Sequence, residues 1–137
     1  MPSRADAFIL FRVWFVFFAS LSLGACFSLK DNRAATQAWL NQQNVSSRIN
    51  IAGTWKSDLW GRANFQQTGN KITGQMGIYD VKGRVSGEKI YLAFSDAGRT
   101  YYTSILSRES SRKLSGRISP SLPFSDSNAR GFILKKF

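Results

Sequence analysis

The chain has 137 residues, 19 lysines and arginines against 8 acids, no histidine and one cysteine, for a net charge of +11. Without histidine, and with a single thiol, the usual zinc, copper and haem ligand sets are excluded, as are Ser-His-Asp and Cys-His catalysis. An intrachain disulfide is excluded as well, so one compact domain must be stabilised by its own core.

In chain order, the first segment is apolar. Arg4 and Arg12 flank a core, VWFVFFASLSL from Val13 to Leu23, that contains no charge. Its length matches a signal-peptide core, and the basic flank keeps this end on the cytoplasmic side. Leu23-Gly24-Ala25-Cys26 follows. It resembles the lipobox of bacterial lipoprotein signals: an aliphatic residue three before the cysteine, then two small residues. Ordinary cleavage after Ala25 would want a small residue where Leu23 stands. Two other readings stay open here, an uncleaved anchor over Val13–Leu29 and ordinary cleavage after Gly24. The lipobox resemblance implies removal of residues 1–25, then a diacylglyceryl thioether and an N-acyl chain (commonly palmitate) on Cys26. One acyl chain anchors marginally and two or more anchor stably. Phe27 after the cysteine implies, for a Gram-negative organism, an outer-membrane location facing the periplasm. Loss of Arg4, Arg12 and Asp6 with the signal lowers the net charge by one. The excess of cations favours anionic partners such as envelope polymers or lipid headgroups. The cations are spread from Lys30 to Lys136 without a long run, as on a solvated surface.

Residues 26–50 read as a tether with one short helix through RAATQAWLNQQ, capped by Asp31 or Asn32. Ala35, Ala38, Trp39 and Gln42 would share its inner face, with Trp39 docking on the domain.

From Ile51 the pattern becomes that of strands, with turn residues at short intervals. Strands are expected at 51–59, 62–68, 72–79, 81–86, 89–95, 100–108, 114–119 and 129–137, with an irregular loop at 120–128. Ile90, Leu92 and Phe94 alternate with Tyr91 and Ala93. Ile72, Gly74, Met76 and Ile78 would share one face, and Leu114, Gly116 and Ile118 another. Glycines inside strands suggest sharp bending. The expected fold is mostly β, an antiparallel meander over residues 51–137 closing into an approximately eight-stranded barrel, preceded by a signal helix and one short helix. The strands are too short, and residues 51–137 too few, for a barrel that spans a membrane.

Gly53-Thr54-Trp55 resembles the Gly-x-Trp that opens the first strand of calycin barrels, such as lipocalins and avidins. The resemblance implies a late basic residue over Trp55 at the barrel base, with Arg130 as the choice and Lys135 or Lys136 as alternatives. Residues 51–118, with GTWKSDLWG, the run from Phe65 to Phe94, YYTSIL and LSG, also resemble small bacterial lipoproteins with one β-meander domain of uncharacterised function.

No catalytic constellation is evident. Gly83-Arg84-Val85-Ser86-Gly87 has its serine one place late for a nucleophile elbow, the acids are scattered, and no phosphate loop or dinucleotide fingerprint occurs. Arg130-Gly131-Phe132 with Phe137 matches the ends of an RNA-binding octamer whose middle, Ile133-Leu134-Lys135, departs from it. The expectation is a non-enzymatic, cofactor-free and metal-free envelope protein without a nucleic-acid partner. It would bind an envelope component or small ligand through its barrel, using Trp60, Arg62, Tyr79, Arg99, Tyr101 and Tyr102. The alternative is an inhibitor or interaction module for another envelope protein, with the 120–128 loop as its wedge.

Overall fold

The computed structural model describes residues 32–137. The signal helix, Leu23, Gly24, Ala25 and Cys26 lie outside the described residues, as does Asp31. Helix α1 (Arg33–Asn41) is followed by β1 (Gly53–Ser57), β2 (Gly61–Thr68), β3 (Lys71–Met76) and β4 (Tyr79–Ser86). Then come β5 (Lys89–Asp96), β6 (Arg99–Ser110), β7 (Lys113–Ser119), a 3-10 turn at Asp126–Asn128, and β8 (Arg130–Lys136). Each strand pairs antiparallel with the next, and β8 pairs with β1, so the eight strands form a closed barrel. Closure joins the first and last strands of the meander over Trp55–Lys56 and Lys135–Lys136.

The alternation of residue types sets the inside. Ile90, Leu92 and Phe94 point inward and are fully buried, while Ala93 faces outward beneath α1. Leu114 and Ile118 join the interior with Phe132 and Leu134 from β8. Phe94 and Phe132 meet edge to face, their centroids 6.0 Å apart, a geometry that suits the ring quadrupoles. The interior thus holds one continuous cluster of the protein's own buried side chains. In the third strand the sequence expectation runs one step too far: the strand stops at Met76, Gly77 takes φ 58° in a turn, and Ile78 is exposed.

Two glycines permit the geometry. At Gly116 a Cβ would lie 2.1 Å from the Ile105 carbonyl oxygen and 2.9 Å from Leu106 Cα, so only glycine lets β7 approach β6 this closely. Gly53 has φ 130° and faces Lys136 Cε at 3.3 Å from the position a Cβ would take. A side chain there would be strained and would crowd Lys136.

The segment expected as tether and helix belongs in good part to the folded unit, which begins at Arg33. The buried face of α1 is Thr36, Trp39 and Leu40, not Ala35, Ala38, Trp39 and Gln42. Trp39 does dock on the domain, edge-on to Tyr91 at 5.9 Å, in a second cluster outside the barrel with Leu40, Ala93 and Ile105. Thr36 Oγ1 and Thr100 Oγ1 share a hydrogen bond of 2.7 Å beneath the helix. The helix turns its i, i+3/i+4 stripe of Thr36, Trp39 and Leu40 to the barrel because that stripe carries its two largest apolar groups. The chain then crosses the barrel base. Val45 N–H donates to Ser86 Oγ, Gly87 N–H to the Val45 carbonyl, and Ile51 N–H to Gln67 Oε1. Ile49 and Ile51 enter the core from below.

Because the Gly116 clash is with backbone, Gly116→Ala is expected to cost about 1–3 kcal/mol, the range for overpacking. Gly131→Ala, where a Cβ meets nothing within 4 Å, should stay within about 0.5 kcal/mol of the parent. Urea denaturation of the two variants checks this; equal effects would show that the β6–β7 approach is not constrained as described.

Candidate functional site

The base of the barrel is organised by Trp55, which is 2% exposed. Its Nε1–H donates to the Ile51 carbonyl at 2.8 Å, so the one polar atom of a buried indole is satisfied. Lys136 Nζ lies 5.3 Å from the ring centroid and donates to the Ala52 carbonyl at 3.3 Å. The basic residue over the tryptophan is therefore Lys136, not Arg130. The reason is register: Trp55 pairs with Lys136 across the β1–β8 seam, whereas Arg130 begins β8 opposite Ile118 on β7, at the other end of the strand. Trp55 serves the fold and is not open to ligand.

The opposite end carries the aromatic group. It gathers the turns β1–β2, β3–β4 and β5–β6 and the loop β7–β8. Ser57 Oγ accepts a hydrogen bond from Trp60 N–H, which holds the Trp60 turn over the barrel mouth. The β5–β6 register shifts between Phe94 and Ser95, with Phe94 opposite Tyr102 and Ser95 opposite Thr100. Tyr101 is the extra residue of this bulge. The bulge sends Tyr102 inward onto the core and leaves Tyr101 on the surface. Trp60 and Tyr102 meet at 4.9 Å and 68°, Tyr79 and Tyr102 at 5.8 Å and 81°, and Trp60 and Tyr79 at 6.4 Å. Tyr101 joins at 6.2 Å from Tyr79, and Arg99 Cζ lies 5.4 Å from the Tyr101 ring centroid. Desolvation first, then Tyr102, Asp96 and Tyr101, hold the Tyr79 phenol above its ordinary value. It remains a neutral donor at physiological pH.

Five of the six residues singled out in the sequence thus come together. Arg62 does not: its guanidinium lies 4.2 Å over the Phe137 ring on the outer wall, because β2 carries it past the turn that holds Trp60. Beside the aromatic group a cleft of about 360 Å³ is lined by Trp60, Tyr102, Ile118, Pro120, Asn128 and Arg130. Arg130, expected at the barrel base, is here. Ile118 carried no sequence signal for a site, and Pro120 and Asn128 were singled out only as the ends of the candidate wedge loop; the β7–β8 connection returning to the barrel mouth brings all three to Trp60.

That connection is engaged in part by the barrel wall. Leu122 and Phe124 pack onto the outer cluster with Trp39. Ser119 Oγ hydrogen-bonds Ser121 Oγ and Asn128 Oδ1, and accepts from Ser125 N–H. Thr103 Oγ1 donates to the Ser121 carbonyl, so the loop is tied down at both ends.

A larger depression of about 680 Å³ lies at the base, between Ser46–Ile49, the Gly87-Glu88 turn and Arg108–Ser111. Its rim mixes Arg48 and Arg108 with Glu88 and Glu109. Glu109 accepts from Ser115 Oγ and pairs with Lys113 at 3.0 Å. The Ser115 hydrogen bond and then Lys113 hold its carboxyl below the usual value. On an exposed pair this contributes little to stability. That contribution is present above the ordinary carboxylate pKa and is lost as pH falls through the depressed one.

Among the described residues no group of three or more Asp, Glu, His or Cys side chains is placed to hold a metal ion, and no helix is long and apolar enough to cross a membrane. The class the structure defines is a small, closed, all-antiparallel eight-stranded barrel, compatible with a calycin-like fold. No protein-family model, curated protein or solved structure matches the chain.

Lys136→Met is expected to cost about 1 kcal/mol through loss of the cation–π contact and the Ala52 hydrogen bond. Arg130→Met should remain within about 0.5 kcal/mol of the parent. Thermal and urea unfolding compare them; a larger loss at Arg130 would contradict the assignment of Lys136 as the base latch.

Proposed function

We propose that this is a non-catalytic, lipid-anchored protein of the cell envelope whose barrel mouth binds a small ligand or an exposed unit of an envelope component. The observation that carries the binding half is the cleft beside Trp60. Its volume falls in the range of ligand sites, and it sets two aromatic rings beside an amide, Asn128, and a cation, Arg130. Such a set favours a ligand with one apolar face and a polar or anionic edge, as in an acidic sugar unit of an envelope glycan. The packed interior directs binding to this rim and away from the inside of the barrel. The interaction-module alternative is less supported with the loop as wedge, because Leu122 and Phe124 are engaged by the barrel's own outer cluster.

The anchoring half rests on Leu23-Gly24-Ala25-Cys26 and its resemblance to a lipobox. A cleft needs no nucleic acid or cofactor to operate in this reading, and an outer-membrane, periplasm-facing position follows if the organism is Gram-negative.

Two measurements test the halves separately. The intact mass of protein extracted from membranes should lack residues 1–25 and carry acyl mass, and Cys26→Ser should accumulate as precursor; normal maturation of that variant would refute the anchor. Titration with soluble peptidoglycan fragments, followed by tryptophan fluorescence and by amide shifts at Asn128 and Arg130, should give saturable binding. Trp60→Ala and Arg130→Gln should each weaken it by roughly tenfold, about 1.4 kcal/mol. Shifts confined to other surfaces would displace the cleft as the site.

A further inference from the structure

The cations that look evenly dispersed along the sequence are gathered by strand register. Lys56 on β1 stands directly opposite Arg62 on β2 and opposite Lys135 on β8. Lys135 stands in turn opposite Lys113 on β7. Arg62, Lys56, Lys135 and Lys113 thus form one transverse row over four adjacent strands, β2–β1–β8–β7. All four alternate with inward residues (Ala63, Trp55, Leu134 and Leu114) that are buried in the core, so the four cations share the outer wall. With strands about 4.8 Å apart the row is roughly 14 Å long. Like charges directly opposite on neighbouring strands repel, and three successive pairs here do so.

Local compensation is slight. Glu109 pairs with Lys113 at one end of the row. Among the described residues, no ion pair joins Lys56, Arg62 or Lys135. Arg62 is instead spread over the Phe137 ring, a contact that positions its guanidinium without neutralising it. The row lies on strand bodies, whose register is fixed by the core residues on their other face. The cations are therefore held at set spacing, unlike cations scattered on loops.

We propose that this row is a docking track for a flexible linear polyanion with phosphodiester or phosphoanhydride charges, laid across the strands over the β1–β8 seam. Charge complementarity selects an anion. Curvature selects its form: four adjacent strands of an eight-stranded barrel turn through roughly 135°, so a flat bilayer meets the middle of the row and leaves its ends, whereas a flexible chain follows all four. Lysines suit such a partner because they act as point charges on phosphate oxygens without demanding one orientation. The site is separate from the Trp60 cleft and does not depend on it.

The test uses the full chain in its detergent-solubilised form and long-chain inorganic polyphosphate as probe. Lys56→Gln with Lys135→Gln removes the centre of the row. Lys71→Gln with Lys82→Gln removes equal charge from the β3–β4 wall. The first pair should weaken binding at least tenfold and flatten its salt dependence, because fewer counterions are released; the second should change affinity less than threefold. Removing Lys56 and Lys135 should also raise the melting temperature slightly, since the repulsion is relieved, which separates loss of binding from loss of fold. Equal weakening by both pairs would reduce the effect to net charge and overturn the proposal, as would absence of polyphosphate binding. In a parallel arm, the protein is partitioned into phosphatidylcholine vesicles with and without phosphatidylglycerol. A gain from phosphatidylglycerol that depends on Lys56 and Lys135 and exceeds the polyphosphate effect would assign the row to a lipid surface instead.

Discussion

The short seam between β1 and β8 is the contact on which the remainder depends. Only Trp55↔Lys136 and Lys56↔Lys135 pair across it, extended by the Phe137 N–H donating to the Thr54 carbonyl. Yet it converts an eight-stranded meander with two open edges into a closed surface, and it does so by placing the largest buried side chain beside the seam. Trp55 fills the base of the core, its indole N–H is satisfied by Ile51, and Lys136 crosses over the ring through the space left at Gly53. Glycine, tryptophan and lysine form one device: the first gives room, the second gives buried area, and the third spans the seam to bond Ala52.

The same closure arranges the two surfaces proposed for binding. Inside, the core is occupied by side chains from all eight strands and by Ile49 and Ile51 from the crossing segment, which on the proposed reading leaves the rim and the wall for binding. At the rim, the β5–β6 bulge at Tyr101 and the anchored β7–β8 loop bring Trp60, Tyr102, Asn128 and Arg130 around one cleft. On the wall, the seam sets Lys56 beside Lys135 and completes the basic row. Rim and wall differ in composition: aromatic faces with Arg99 and Arg130 in the first, cations without an aromatic group of that size in the second. A protein held at a membrane by Cys26 would present both to its surroundings at once, with α1 and the Val45–Ile51 crossing already bound to the barrel.

Much of the fold was legible because a strand buried on one face writes period-two alternation into its residues. Ile90, Leu92 and Phe94, with Tyr91 and Ala93 opposite, read correctly for that reason. Ile78 misled because it continues the pattern of Ile72 and Met76 while lying in the Gly77-Ile78 turn; an exposed apolar residue has the same letter as a buried one. The helix face misled because alanines are compatible with either side, and only the position of the barrel wall decided for Thr36, Trp39 and Leu40. At the site, the aromatic residues were legible as large groups near turns. Arg62 was drawn in by proximity in sequence to Trp60, although Trp60 lies in the turn before β2 while Arg62, next to the inward Ala63, stands on the outer wall.

By itself, then, the sequence determined the class of fold, the existence of a helix whose Trp39 docks on the barrel, and the chemistry that is excluded by the absence of histidine and of a second cysteine. It also specified Gly53 and Trp55 as a pair belonging to the barrel base. The tertiary structure alone decided which cation covers Trp55, that Arg130 belongs to the rim cleft, and that Arg62, Lys56, Lys135 and Lys113 stand in one row. These are statements about register between strands far apart in the chain. Register follows from how all the inward side chains pack at once, and no local stretch of residues encodes it.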